Sequence, residues 1–154
     1  MKHATLCLPI SDARRQILLG VKLRGFGQGK LVGFGGKIED GETVAEAAAR
    51  ELCEETGLRA APNQLQEVAQ LTFLFPAQPG WNHLVYVFLA RRWTGEPVGS
   101  AEISAEWYDL HHVPYDRMWD DDRYWLPQVL AGQHLRATFI YGDDNETVQQ
   151  YWLE

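Results

Sequence analysis

The sequence is short of cysteine, of long apolar runs and of positive charge, and each shortage narrows what the chain can be. Its two cysteines, Cys7 and Cys53, are too few and too far apart for a Cys-x-x-Cys metal or redox pair, so both are expected as reduced packing residues. No apolar run approaches the roughly 18 residues of a membrane span, and no secretory leader is visible, so a cytoplasmic protein that does not enter membranes is expected. Lysine and arginine number 14 against 21 acidic residues, a formal charge of −7. That balance argues against a basic face for a nucleic-acid polymer or an acidic lipid surface. The five histidines, His3, His83, His111, His112 and His134, show no HxH or HExxH spacing, which argues against zinc. Repeats, low-complexity tracts and linkers are also missing. With 154 residues, 45% hydrophobic and 12% aromatic, the chain suits one domain, residues 1–154, with its own core.

What is present is concentrated between Gly35 and Leu58, GGKIEDGETVAEAAARELCEETGL. On a helix of about 100° per residue, Glu51, Glu54 and Glu55 share a narrow arc beside an apolar stripe of Ala45, Ala48, Ala49 and Leu52. One side of such a helix can pack while the other gathers charge. Three adjacent carboxylates repel unless a hard cation neutralises them, and all-oxygen ligands select magnesium, with manganese as a substitute, over zinc. Gly35 and Gly36 ahead of the helix allow positive φ or a close backbone approach. Glu39, Asp40, Glu42 and Thr43 then place acids and a capping hydroxyl at its N-terminus.

In chain order, Thr5–Ile10 reads as a strand that Pro9 pushes toward a sheet edge or bulge, and Gln16–Lys22 as its returning partner. A glycine-punctuated loop, RGFGQGK, follows. Phe26 within it is a large aromatic with little reason to sit among glycines unless it covers something. Strands are expected at Leu65–Phe75, within Trp81–Trp93, at Glu102–Leu110, His134–Tyr141 and Thr147–Leu153, and a helix at Asp120–Leu130. Dominant strands with two flanking helices predict an α+β chain, an α/β/α sandwich with a mixed β-sheet between helices.

Gly36, Glu42, Arg50, Glu51, Leu52, Glu54, Glu55, Gly57 and Leu58 match G-x5-E-x7-R-E-U-x-E-E-x-G-U, with U aliphatic, at every fixed position. By this motif the chain resembles the Nudix hydrolases. ILLGVKLRGFGQGK before it, GFGGKIEDGET within it and MWDDDRYWLP after it are similar to the animal-type oxidised purine nucleoside triphosphatase branch of that superfamily. The resemblance implies the Nudix sandwich, a Mg²⁺ cofactor, and hydrolysis of a small-molecule nucleotide such as 8-oxo-dGTP or 2-oxo-dATP to the monophosphate and pyrophosphate. A monomer that cleans the nucleotide pool is the expectation.

Carried over residue by residue, the resemblance implies metal ligation by the Gly35 carbonyl and by Glu51, Glu54, Glu55 and Glu102. Arg50 is expected to pair with Glu42 or a helix acid and orient those ligands. Which of Glu102, Glu51 and Glu54 accepts the proton of the attacking water stays open. Thr5, Lys22, Phe26, Phe73, Phe75, Trp119, Asp121 and Asp122 are implied to line the base pocket, with Phe34, Gly35, Gly36, Lys37 and Asp120 also counted as substrate-binding. Aromatic faces stack on a flat purine, and of two adjacent carboxyls in an apolar pocket one can stay protonated and donate. Helix capping is an alternative use of Asp120–Asp122, and core packing an alternative for Phe73 and Phe75. The chain departs from the branch at Leu31 and Val32, where a Trp-Asn pair is the pattern, and the stretch from Pro76 to His83 is one residue longer, with Trp81 available to fill the volume. These departures keep open a Nudix enzyme for an unmodified nucleotide, a dinucleoside polyphosphate or a nucleotide sugar. A non-catalytic ligand-binding module is the reading of another class.

Overall fold

The computed structural model describes residues 1–154 and places a mixed sheet between two helices. Strands β1 (Lys2–Ser11), β2 (Gln16–Lys22), β3 (Leu31–Val32), β4 (Gln66–Leu74), β5 (His83–Ala90), β6 (Ile103–Asp109), β7 (Leu135–Tyr141) and β8 (Val148–Leu153) are joined by helices α1 (Val44–Thr56) and α2 (Asp122–Leu130). The sheet runs β3-β2-β1-β5-β4-β7-β8, with β6 also paired to β2. β1 with β5 and β4 with β7 are parallel, and the remaining pairs are antiparallel. Alternation along each strand divides the apolar residues between two cores. Leu71, Phe73, Val87 and Phe139 join Trp125, Leu126 and Val129 of α2 in one. Cys7, Leu18, Phe34 and Phe88 join Ala48 and Leu52 of α1 in the other.

Helix α1 begins at a reciprocal cap: the Thr43 side chain accepts from the Glu46 N–H at 3.1 Å, and Glu46 accepts from the Thr43 N–H at 2.7 Å. It ends at Gly57, whose φ of 80° is left-handed, a conformation only glycine adopts without strain. The buried residues are Ala47, Ala48, Leu52 and Thr56. Ala47 therefore takes the place expected of Ala49 in the stripe, because the helix meets the sheet rotated slightly from the ideal wheel. Glu51 and Glu55 are left half-buried at the edge of that contact, and Glu54 points outward.

Pro9 does not mark an edge. β1 lies inside the sheet, with Pro9 opposite Ala90 of β5. The N–H groups of Thr5 and Cys7 donate to the carbonyls of Gly36 and Phe34 on the other side of β1. Alternation turns the Pro9 nitrogen to that same side, beyond the end of this pairing, so no ladder bond to β5 is lost. Sequence reasoning also missed the two-residue β3, which is too short to carry a period.

Candidate active site

Gly35 and Gly36 tie α1 to β1 by close approach, not by positive φ, since neither is among the left-handed glycines. A Cβ on Gly35 would lie 1.7 Å from the Thr5 carbonyl oxygen, and one on Gly36 would lie 2.6 Å from a Glu51 carboxylate oxygen. The two glycines thus let the backbone lie directly against β1 on one side and the helix carboxylates on the other. The Gly35 N–H donates to Glu55 Oε1 at 2.9 Å.

Arg50 spans the acidic group. It donates to both oxygens of Glu42, from Nε at 3.0 Å and Nη2 at 2.7 Å, to Glu51 Oε1 at 3.0 Å and to the Lys37 carbonyl at 3.0 Å. A longer 3.4 Å contact reaches Glu54. The guanidinium holds Glu42 well below the usual carboxylate range, at about 2. Arg50 thus ties Glu42, Glu51 and the loop before α1 together, and Lys37, counted as substrate-binding, is exposed and engaged here through its backbone. Glu55 behaves oppositely: burial first, then the charge of Glu51, push its carboxyl up to about 7, and Glu102 adds to the rise while Lys22 opposes it. Glu102, just before β6, has an Arg24 contact at 3.4 Å and is otherwise open to solvent.

The expected ligands do not converge on a single point. Like charges separate, each onto its own donor: Glu51 toward Arg50, Glu55 onto Gly35, Glu102 toward Arg24. The donor set nonetheless fits a hard divalent cation, being all oxygen, and a cation beside Glu55 would favour its ionised form. Glu54, whose side chain is 57% exposed, has only the 3.4 Å Arg50 contact among its neighbours.

The other side of Gly35 and Gly36 opens on a cavity of about 210 Å³. Thr5, Lys22, Phe26, Phe73, Phe75, Trp119, Asp121 and Asp122 all line it, so the structure brings these sequence-named residues together. Phe26 stacks on Trp119 with centroids 5.0 Å apart and meets Trp81 edge-on at 4.9 Å, forming an aromatic flap. Phe73 and Phe75 belong to the core as well as to the cavity wall, so their two readings hold at once. Phe34 is a correction. It is fully buried beneath α1, because alternation at the short crossing of β1 turns its ring to the face opposite the cavity. Asp120 is another: its carboxylate accepts from the Val148 N–H at 2.8 Å and pairs with Arg123 at 3.2 Å, anchoring the loop to β8 outside the cavity.

Asp121 and Asp122 are nearly inaccessible, at 4% and 8% exposure. Asp121 is not a side-chain cap. Its two oxygens accept from Trp125 Nε1 at 2.8 Å and from the Tyr141 hydroxyl at 2.5 Å. Burial raises both carboxyls, Asp121 to about 6, with its two donors opposing the rise, and Asp122 well above the ordinary value because the charge of Asp121 adds to desolvation. The two carboxyls sit side by side and titrate as a pair, with the charged form of Asp121 alone supported by two side-chain donors. Sequence reasoning missed His83, Trp125 and Tyr141 on this wall. Trp125 stands one helical turn from Asp121 and Tyr141 twenty residues on, at the end of β7, and only folding joins them.

The sequence pattern of the NUDIX domain matches residues 1–129. The chain belongs to the NUDIX family. It is 38% identical over 149 residues to the oxidized purine nucleoside triphosphate hydrolase of Mus musculus, covering 97% of this chain and 92% of that one. It is 41% identical over 140 residues to the same-named protein of Danio rerio, covering 91% and 86%. The crystal structure of the mutator MutT protein from Bacillus halodurans superposes with a TM-score of 0.86 at 26% identity, covering 100% of this chain and 98% of that one. The chain is thus a Nudix hydrolase with the Nudix sandwich. Nudix hydrolases act on small nucleotides and generally need divalent metal ions. No helix here is long and apolar enough to cross a membrane.

Proposed function

We propose that the whole stretch 1–154 acts as one Nudix domain that hydrolyses oxidised purine nucleoside triphosphates, such as 8-oxo-dGTP and 2-oxo-dATP, to the monophosphate and pyrophosphate. One observation carries this reading: Gly35 and Gly36 form both the floor of an aromatic cavity with two buried carboxyls and the edge of the carboxylate helix. A purine bound in the cavity would deliver its phosphates to Glu51, Glu54, Glu55 and Glu102. These carboxylates and the Gly35 carbonyl would hold magnesium, which when bound would neutralise the triphosphate and polarise a phosphoryl oxygen. Phe26 and Trp119 stack on the base and exclude water, while Asp121 accepts and Asp122 donates to its edge. Lys22, on the cavity wall and close enough to Glu55 to lower its pKa, contributes the local cation. Arg50 holds Glu51 in place, and the proton of the attacking water passes to one of Glu102, Glu51 and Glu54.

The similarity to the mouse and zebrafish oxidized purine nucleoside triphosphate hydrolases supports the same substrate class. Val32 on the cavity wall favours a second reading, another nucleoside diphosphate derivative, because its side chain forms no hydrogen bond where the resembled branch has an amide. The test is kcat/KM with Mg²⁺ for 8-oxo-dGTP, 2-oxo-dATP, dGTP and dATP, following pyrophosphate against phosphate. Preference for an oxidised purine with pyrophosphate release is expected. Equal or negligible turnover of all four overturns the proposal.

A further inference from the structure

His83 opens β5 opposite Phe73 of β4 and is a polar group of the cavity wall with no part in the reading above. Its ring stacks on Phe73 with centroids 5.0 Å apart and lies within 7° of parallel to Phe75 at 6.4 Å. Nδ1 is 2.6 Å from the Trp81 carbonyl oxygen. A carbonyl has no proton to give, so Nδ1 carries the hydrogen and donates. Nε2 then holds a lone pair in the neutral ring and has no hydrogen-bond partner in the protein. Burial pushes the imidazole below its ordinary pKa, against the opposing hydrogen bond to the Trp81 carbonyl and with the Lys2 charge in the same direction, which favours the neutral ring.

A fixed, unpartnered acceptor on an apolar wall selects ligands. A base that fills the cavity strips water from Nε2, and the cost is offset only if the base donates a hydrogen there. The Phe75 ring adjoins both walls, stacking on Tyr141 at 4.7 Å and lying parallel to His83. Tyr141 holds Asp121, so Phe75 adjoins both the support of the carboxyl pair and His83 on the wall of one cavity. The carboxyl pair presents one acceptor and one donor, and His83 adds an acceptor alone. The purine donor suited to a lone acceptor away from the ring N–H is an exocyclic amine. We propose that His83 is a specificity-determining residue, its Nε2 accepting a hydrogen bond from the exocyclic amine of the purine. This rests on the purine nucleotide reading above.

The experiment compares kcat/KM for 8-oxo-dGTP with that for 8-oxo-dITP, which lacks only the amine, in the wild type, His83→Phe and His83→Gln. Phenylalanine keeps the stacking and loses the acceptor, whereas glutamine restores an acceptor oxygen. The wild type is expected to favour the amine-bearing nucleotide by roughly fivefold, the ratio set by a neutral hydrogen bond of about 1 kcal/mol. In His83→Phe the ratio falls toward one, chiefly through KM, and His83→Gln recovers part of it. Should His83→Phe not fold, His83→Met provides the acceptor-free variant. An unchanged ratio in the acceptor-free variant, or a wild type blind to the amine, overturns the proposal while leaving the purine nucleotide reading intact. Turnover of neither nucleotide by the wild type overturns that reading and this one with it.

Discussion

Removing the Tyr141 hydroxyl is expected to give a stability loss that depends on pH, because its partner is a buried acid caught between two protonation states. In Tyr141→Phe the ring keeps its 4.7 Å stack on Phe75, while the 2.5 Å hydrogen bond to Asp121 Oδ1 is lost together with the longer 3.3 Å one that the hydroxyl accepts from the Asp121 N–H, which does not change with the charge of the carboxyl. Asp121 titrates at about 6 in the folded chain, above its ordinary 3.8, with burial as the main cause. A raised acid pKa means the folded state binds more protons than the unfolded chain between those values, so stability falls as pH climbs from about 4 through about 6. Above that window Asp121 is ionised, and a hydrogen bond to a charged group is worth about 1.5–3 kcal/mol. Below it the carboxyl is neutral and the same bond is worth about 0.5–1.5 kcal/mol. Burial and the Asp121 charge keep the Tyr141 hydroxyl protonated throughout, so it is a donor on both sides of the window. Urea unfolding of wild type and variant at pH 5 and pH 8 reads the difference as a shift in midpoint at unchanged slope. A penalty about twofold larger at the higher pH is expected. Equal penalties would refute the assignment of Asp121 as the ionising member of the pair.

Glu55→Gln is expected to lower turnover at least ~100-fold in the presence of magnesium without lowering the melting temperature, since it removes a carboxyl that burial and Glu51 already disfavour. Near-wild-type turnover would reject its role. Arg50→Lys loses the two-pronged contact to Glu42 and cannot reach Glu51 at the same time. A cation affinity roughly 10–100-fold weaker, read by titrating Mn²⁺, is the expected outcome. In Gly35→Ala the new methyl would sit 1.7 Å from the Thr5 carbonyl, so β1 and the loop must part. A melting point unchanged from wild type would show that this approach is not tight.

The fixed spacing from Gly36 to Leu58 made the carboxylate helix and its cap at Thr43 legible in the sequence, whereas its stop at Gly57 came from the structure. Cap, stripe and acid spacing are local properties, and neighbours within two turns decide them. Helix α2 and most strands were legible for the same reason, through turn residues and alternation. Pro9 misled because a proline's cost depends on which side its missing donor faces, and that side is set by a partner strand far along the chain. Phe34 and Asp120 misled similarly: near neighbours in sequence of true wall residues, they turn to other faces of the fold. Val32 was legible as a departure, and the structure adds that it faces the cavity while Leu31 is buried in the core.

The sequence by itself determined the family and the oxygen-rich set of carboxylates gathered on α1, since these follow from residue types at fixed local intervals. Only the tertiary structure decided how charge is distributed among them. Asp121 gains its donors from α2 and β7, Glu55 its burial from β1 and the Gly35 loop, and His83 its tautomer from the Trp81 carbonyl. Protonation depends on solvent exclusion and on partners brought together from distant positions, and those exist only once the chain has folded.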